Sequence, residues 1–139
     1  MVVVAVYNRV FADGASDAAP EVTVKVTRLY AGPDGESHFQ DIDIPLGAGD
    51  PGEQLSERVK ATGVIFRETT GGYDLAFHHA PRRQFVITLA GQAEIILGDG
   101  TKRIFGPGDI MLAEDTTGHG HITRAVNNQP RKSIYITQD

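Results

Sequence analysis

The chain has 139 residues, a formal charge of −5, no cysteine, 40% hydrophobic residues and 22% charged ones. This length suits one hydrophobic core and is short for two ordinary domains, and the balance of residue types is that of a globular rather than a disordered protein. The acidic excess counts against nucleic acid and anionic membranes as partners, and the lack of thiols removes disulfides, thiolate zinc sites and cysteine nucleophiles, so any metal would be held by nitrogen and oxygen.

The opening run Met1-Val2-Val3-Val4-Ala5-Val6 is too short for a secretory core, follows no basic segment and leads directly into polar Tyr7-Asn8-Arg9, so it reads as a strand. The stretch from Ala12 to Pro20 is small and polar. Residues 1–20 are therefore expected to form an arm and linker ahead of a single domain over 21–139. No later apolar run approaches the roughly 20 residues of a membrane helix, which makes a cytoplasmic protein the expectation.

From Val22 to Tyr30 the chain alternates apolar and polar, the pattern of a strand with one buried face. Ala31-Gly32-Pro33-Asp34-Gly35 has the residues of a turn, and alternation resumes from His38 to Leu46. A glycine-rich loop over 46–53 then leads to the one segment that could be a short helix, Gln54 to Lys60. Beyond residue 63, strands are expected at 64–69, 73–79, 84–90, 93–97, 101–105, 110–113, 119–126 and 132–137, punctuated by glycine and proline. Asp99-Gly100 suits a tight hairpin between the fourth and fifth of these, and Gly106-Pro107-Gly108-Asp109 makes the next reversal. Eight short strands with at most one or two short helices point to an all-β sandwich or barrel, and no repeat of 20 to 50 residues suggests a propeller or solenoid.

Four of the five histidines fall in two close groups, His78 with His79 and His119 with His121. Adjacent strand residues point to opposite faces, so only one of the first pair can enter a given pocket, whereas His119 and His121 share a face if extended. Parity with Gln84 favours His78 inward and places Gln84, Val86 and Thr88 on the cavity side, with Phe85, Ile87 and Leu89 facing away.

The order of these features resembles the cupin superfamily. His78-His79-Ala80-Pro81-Arg82-Arg83-Gln84, then Gly91, then Gly106-Pro107-Gly108-Asp109 and the late histidines follow the family's paired motifs, and the segments HxAPRRQ, GPGD and EDTTGxGH are similar to those of small bacterial and fungal cupin-domain proteins. The resemblance implies a cupin jelly-roll barrel of two antiparallel sheets around a cavity. It further implies a divalent metal (zinc, iron, nickel or manganese) on His78, Gln84, His119 and His121. In this chain Ala80 stands where the family motif has its second histidine, and Gln84 where it has a glutamate. Two readings therefore stand side by side: metal ligands, or hydrogen-bonded pocket histidines.

Tyr73 joins His78 and His121 as a candidate acid–base group, and His38, Arg67, Arg82, Val86 and Thr88 are candidates for substrate contact. Glu114-Asp115 could supply an acceptor behind one of the late histidines, fixing its tautomer, or could form a satisfied turn. There is no phosphate-loop pattern and no serine elbow, so neither a nucleotide nor a flavin is expected. The chain thus reads as a homodimeric small-molecule enzyme of isomerase, dehydratase or lyase type; the alternatives are a ligand-binding barrel without catalysis and a metal-dependent dioxygenase.

Overall fold

The computed structural model describes residues 22–139; the expected arm over residues 1–20 lies outside the described residues. Twelve strands and no helix appear among those described. The first two, β1 (Thr23–Ala31) and β2 (Ser37–Pro45), form an antiparallel hairpin. The two-residue strands β3 (Gly47–Ala48) and β4 (Gln54–Leu55) pair with each other. The eight that follow are β5 (Gly63–Thr69), β6 (Asp74–His78), β7 (Gln84–Ala90), β8 (Ala93–Ile96), β9 (Lys102–Phe105), β10 (Ile110–Glu114), β11 (His121–Ala125) and β12 (Arg131–Thr137). All eight match the strands expected from the sequence to within two residues.

The expected helix over Gln54–Lys60 does not form. Only β4 is regular there, and the rest lacks regular structure. Seven residues with few apolar positions cannot offset the cost of helix nucleation without a packed face, and Leu55 is exposed. Val59 instead packs against a core cluster as part of an irregular strap.

The last eight strands wrap as a jelly roll. Taken in chain order as one to eight, they give β5-β12-β7-β10 in one sheet (one, eight, three, six) and β6-β11-β8-β9 in the other (two, seven, four, five). Successive strands from β5 to β8 alternate between sheets, so side chains from both sheets converge on the interior. The β1–β2 hairpin widens the first sheet to six strands by adding β1 beside β10. The sheets are otherwise antiparallel as expected, but β1 runs parallel to β10, with Thr27 opposite Met111 and Tyr30 opposite Glu114. No tight turn joins these two strands, so hairpin geometry does not fix their relative direction.

The alternation of the strands feeds two apolar clusters. Leu29, Val86, Ile95, Leu97, Phe105, Met111 and Ala113 form the core between the sheets. Val26, Ile42, Ile44, Phe85 and Leu112 form a second cluster on the outer face of the six-stranded sheet. Adjacent residues such as Phe85 and Val86, or Met111 and Leu112, thus belong to different clusters. β1 serves both through Val26 and Leu29, so the single buried face expected for it becomes two. Each fully buried leucine removes enough apolar surface from water to contribute about 1.5–3 kcal/mol. Among the described residues no helix is long and apolar enough to cross a membrane.

Candidate active site

Between the sheets lies a cavity that leaves the centres of water-sized molecules about 60 Å³, room for several waters or the reactive end of a small molecule. His78 closes β6 and His121 opens β11, and the two are opposite partners in the antiparallel pairing of those strands. Their rings lie 4.5 Å apart, tilted by 56°. Gly120 makes this approach feasible. Its φ of 80° is in the left-handed region, and a Cβ at this position would overlap the carbonyl oxygen of His78.

Each imidazole commits its Nδ1 to the protein. His78 Nδ1 donates to the Ala76 carbonyl at 2.9 Å, and His121 Nδ1 donates to Asp115 Oδ2 at 2.6 Å. Since both acceptors need an N–H, Nε2 is the nitrogen with a free lone pair in each neutral ring. Asp115 follows directly on β10, is fully buried, and receives a second bond on the same oxygen from Ser37 Oγ at 2.7 Å. Its backbone carbonyl accepts the Ala80 amide at 2.9 Å, which ties the strand entry after His78 to the same residue. Asp115 is therefore the acceptor behind a late histidine that the sequence allowed for. Burial holds the pKa of His78 below the ordinary histidine range, a loss that its bond to Ala76 partly opposes. His78 is thus kept neutral, and available as a base, at physiological pH.

The facing wall belongs to β5 and β12. Arg131, Ser133, Tyr135 and Thr137 occupy the inward phase of β12, and all but Tyr135 are buried. Arg131 is 5% exposed, donates from Nη2 to Thr88 Oγ1 at 3.3 Å, and leaves Nε without a partner. Burial is the main influence on its guanidinium and pulls its pKa below the usual arginine range. Arg67 on β5 donates to the Tyr73 hydroxyl at 2.9 Å and lies 5.3 Å from the Tyr135 ring centre. Burial raises the Tyr135 pKa, keeping that phenol neutral.

Of the residues expected at the site, His78, His121, Tyr73, Gln84, Val86 and Arg67 line the cavity, and Thr88 supports Arg131. Arg82 stands outside the lining, with Nη1 on Gln84 Oε1 at 3.3 Å and Nε 3.8 Å from Asp139. His119 is turned away: its ring stacks on Phe77 at 3.9 Å and its Nδ1 meets Glu36 at 2.9 Å. His38 pairs with Asp34 at 2.9 Å and packs beside Tyr30, also outside the cavity. Both placements differ from the expected roles for the same reason, that a nearby surface carboxylate satisfies the imidazole where it stands.

The donor set falls short of a divalent metal centre. Among the described residues no three His, Cys, Asp or Glu side chains converge so as to hold an ion. The cavity offers two imidazoles and Gln84, whose amide oxygen already accepts from Arg82. Structural and catalytic zinc sites use at least three protein ligands of these types, which the described residues do not bring together here.

Arg131 and Tyr135 are among the cavity residues that the sequence reading passed over, together with Thr123 and several apolar positions. The signal was present in Arg131-Lys132-Ser133-Ile134-Tyr135-Ile136-Thr137, where the mainly polar phase faces inward and the isoleucines face out. A strand that turns its polar side to the interior marks a lined cavity rather than a packed core, and placing the strand start at residue 132 left the arginine outside it.

The chain matches no protein-family model and no curated protein sequence. Among solved structures it is similar to a Cupin 2 conserved barrel domain protein from Salinispora arenicola, at 18% identity and a TM-score of 0.44 over 55% of this chain and 61% of that one. It is also similar to a sugar phosphate isomerase from the cupin superfamily of Silicibacter pomeroyi, at 22% identity and a TM-score of 0.45 over 76% of this chain and 61% of that one. A third similar structure is an RmlC-like cupin protein from Desulfovibrio desulfuricans, at 13% identity and a TM-score of 0.39 over 89% of this chain and 95% of that one. The matched region thus spans less than two thirds of the first two of these relatives.

Proposed function

We propose that this barrel is a small-molecule enzyme that moves a proton on its substrate, giving isomerisation, dehydration or another lyase-type step. The observation that carries the reading is the buried Asp115–His121 pair at 2.6 Å, set beside a second imidazole 4.5 Å away at one cavity. A carboxylate behind Nδ1 fixes the tautomer, aims Nε2 and gives a proton arriving there a counter-charge. His78, kept neutral by burial, takes a proton from the substrate through its own Nε2. His121, carrying a second proton on Nε2 with the Asp115 carboxylate as counter-charge, gives that proton to a neighbouring atom, and the proton left on His78 passes back to His121 through solvent to reset the pair. Two groups in different environments at one site are the arrangement that proton relocation requires.

The test is solvent exchange. Small hydroxy acids, keto acids and phosphorylated sugars are incubated with the protein in deuterium oxide and followed by proton NMR. The expected result is deuterium incorporation next to a carbonyl by the wild type and by His119→Ala, its loss in His78→Ala, and loss of net turnover in His121→Ala. Binding of such compounds with no exchange and no turnover would replace this reading with that of a ligand-binding barrel without catalysis.

A further inference from the structure

Two arginines face the cavity from one sheet, and among the described residues neither meets a carboxylate within ion-pair distance. Among the described residues, their side chains hydrogen-bond only to the Thr88 and Tyr73 hydroxyls. Every other arginine from residue 22 onward, Arg58 apart, has an acidic partner: Arg28 and Arg83 share Glu114, Arg82 approaches Asp139, Arg103 meets Asp41 and Arg124 meets Asp74. The exceptions at the cavity are therefore local. A buried guanidinium keeps its charge, and leaving its Nε unsatisfied costs stability unless something completes the shell. Ser133 Oγ, on the same inward phase of β12, is a second buried polar atom without a partner. Among the described residues that line the cavity there is no aspartate or glutamate.

We infer that Arg131 and Arg67, with the hydroxyls of Tyr73 and Tyr135, form a subsite for an oxyanion, so that the small molecule handled here is an acid carrying a carboxylate or a phosphate. Guanidinium forks match both groups, and two of them with two phenols supply donors without a competing acceptor charge. The inference deepens the proton-transfer reading by dividing the cavity between its sheets. The six-stranded sheet, through β5 and β12, anchors the anion, while β6 and β11 of the facing sheet bring the imidazoles to the other end of the same molecule. An anchored carboxylate or phosphate would also restrict which carbon lies against His78, converting binding into positioning.

The test uses thermal unfolding and calorimetric titration of the whole chain with inorganic phosphate, and separately with acetate and malonate, at constant ionic strength. The expected result is a rise in Tm and measurable binding with one of these families, which identifies whether phosphate or carboxylate is the natural group. Arg131→Met and Arg67→Gln should each weaken that binding roughly ten- to a hundredfold, the loss of a charge-assisted hydrogen bond. Arg131→Met should remain folded without anion, because an apolar replacement for an unpaired buried charge removes a desolvation penalty. Arg67→Gln provides a second, less buried variant if it does not. His121→Ala should bind the anion as the wild type does, so failure of the catalytic reading and failure of this one are distinguishable. Equal anion binding by wild type and both arginine variants, or no stabilisation by any of the probes, overturns the subsite.

Discussion

His121 sits directly opposite His78 across the β6–β11 pairing, and their rings lie 4.5 Å apart. The register is interrupted immediately afterwards, between His121 and Thr123, so the pairing is local to the two histidines. A neighbouring glycine, a buried carboxylate and a backbone carbonyl then fix how the rings are turned.

Asp115 should matter to both stability and turnover. Asp115→Ala removes the acceptor shared by Ser37 and His121, and an expected loss of about 1–3 kcal/mol would appear in urea denaturation. Asp115→Asn preserves an acceptor but removes the charge, so it should fold well while turnover falls on the order of 10²–10⁴-fold. His119→Ala, outside the cavity, should stay within about 0.5 kcal/mol of wild type.

Stability should fall as the medium is acidified through the histidine range. The folded-state pKa of His78 is lowered by burial, so the unfolded chain binds more protons in the window between the folded value and the ordinary one near 6.5. Its contribution is fully present above about pH 6.5 and is lost as pH drops through the folded pKa. Chemical denaturation at stepped pH should show this decline, and His78→Gln should flatten it. An unchanged slope in that variant would assign the decline to other groups.

Two glycines with nearly the same φ should respond very differently to alanine. Gly35 (φ 79°) has open space where a Cβ would go, so Gly35→Ala should cost only backbone strain, about 1–2 kcal/mol. Gly120 (φ 80°) has the His78 carbonyl there, so Gly120→Ala must also push β11 away from β6. It should cost more, and ligand binding at the cavity should weaken while Gly35→Ala leaves it intact.

The six-stranded sheet carries core on both faces. Leu29→Ala, between the sheets, and Leu112→Ala, on the outer face, remove side chains of equal burial, both 0% exposed. Each should cost about 2–5 kcal/mol in equilibrium unfolding. A negligible loss at Leu112 would show that the outer cluster is dispensable.

The homodimer expected from the sequence is tested on the same outer face, where Phe66 of β5 is 80% exposed and Val64 57%. Light scattering at micromolar concentration should give twice the chain mass, and Phe66→Glu should lower it. A wild-type monomer would end that expectation.

The strand plan was legible because burial imposes a period of two on every strand and glycine and proline mark the turns; Gln84 to Thr88 and the 93–105 hairpin are direct cases. The same parity put His78, Gln84 and Val86 on the cavity side. Periodicity was silent on the neighbours that each polar group finds in space. Whether His119 or His121 entered the cavity depended on Glu36 and Asp115, which come from distant parts of the chain. The segment over 54–60 failed as a helix for want of a face to pack on, and the parallel β1–β10 contact reflects a docking choice made by a hairpin far from β10 in the chain. The residue order by itself determined an all-β fold with His78 on the cavity side, since alternation is a local property. Only the tertiary structure decided that Asp115 stands behind His121 and that Arg131 faces the cavity without a counter-charge among the described residues, since pairing between distant residues is set by which strands lie side by side.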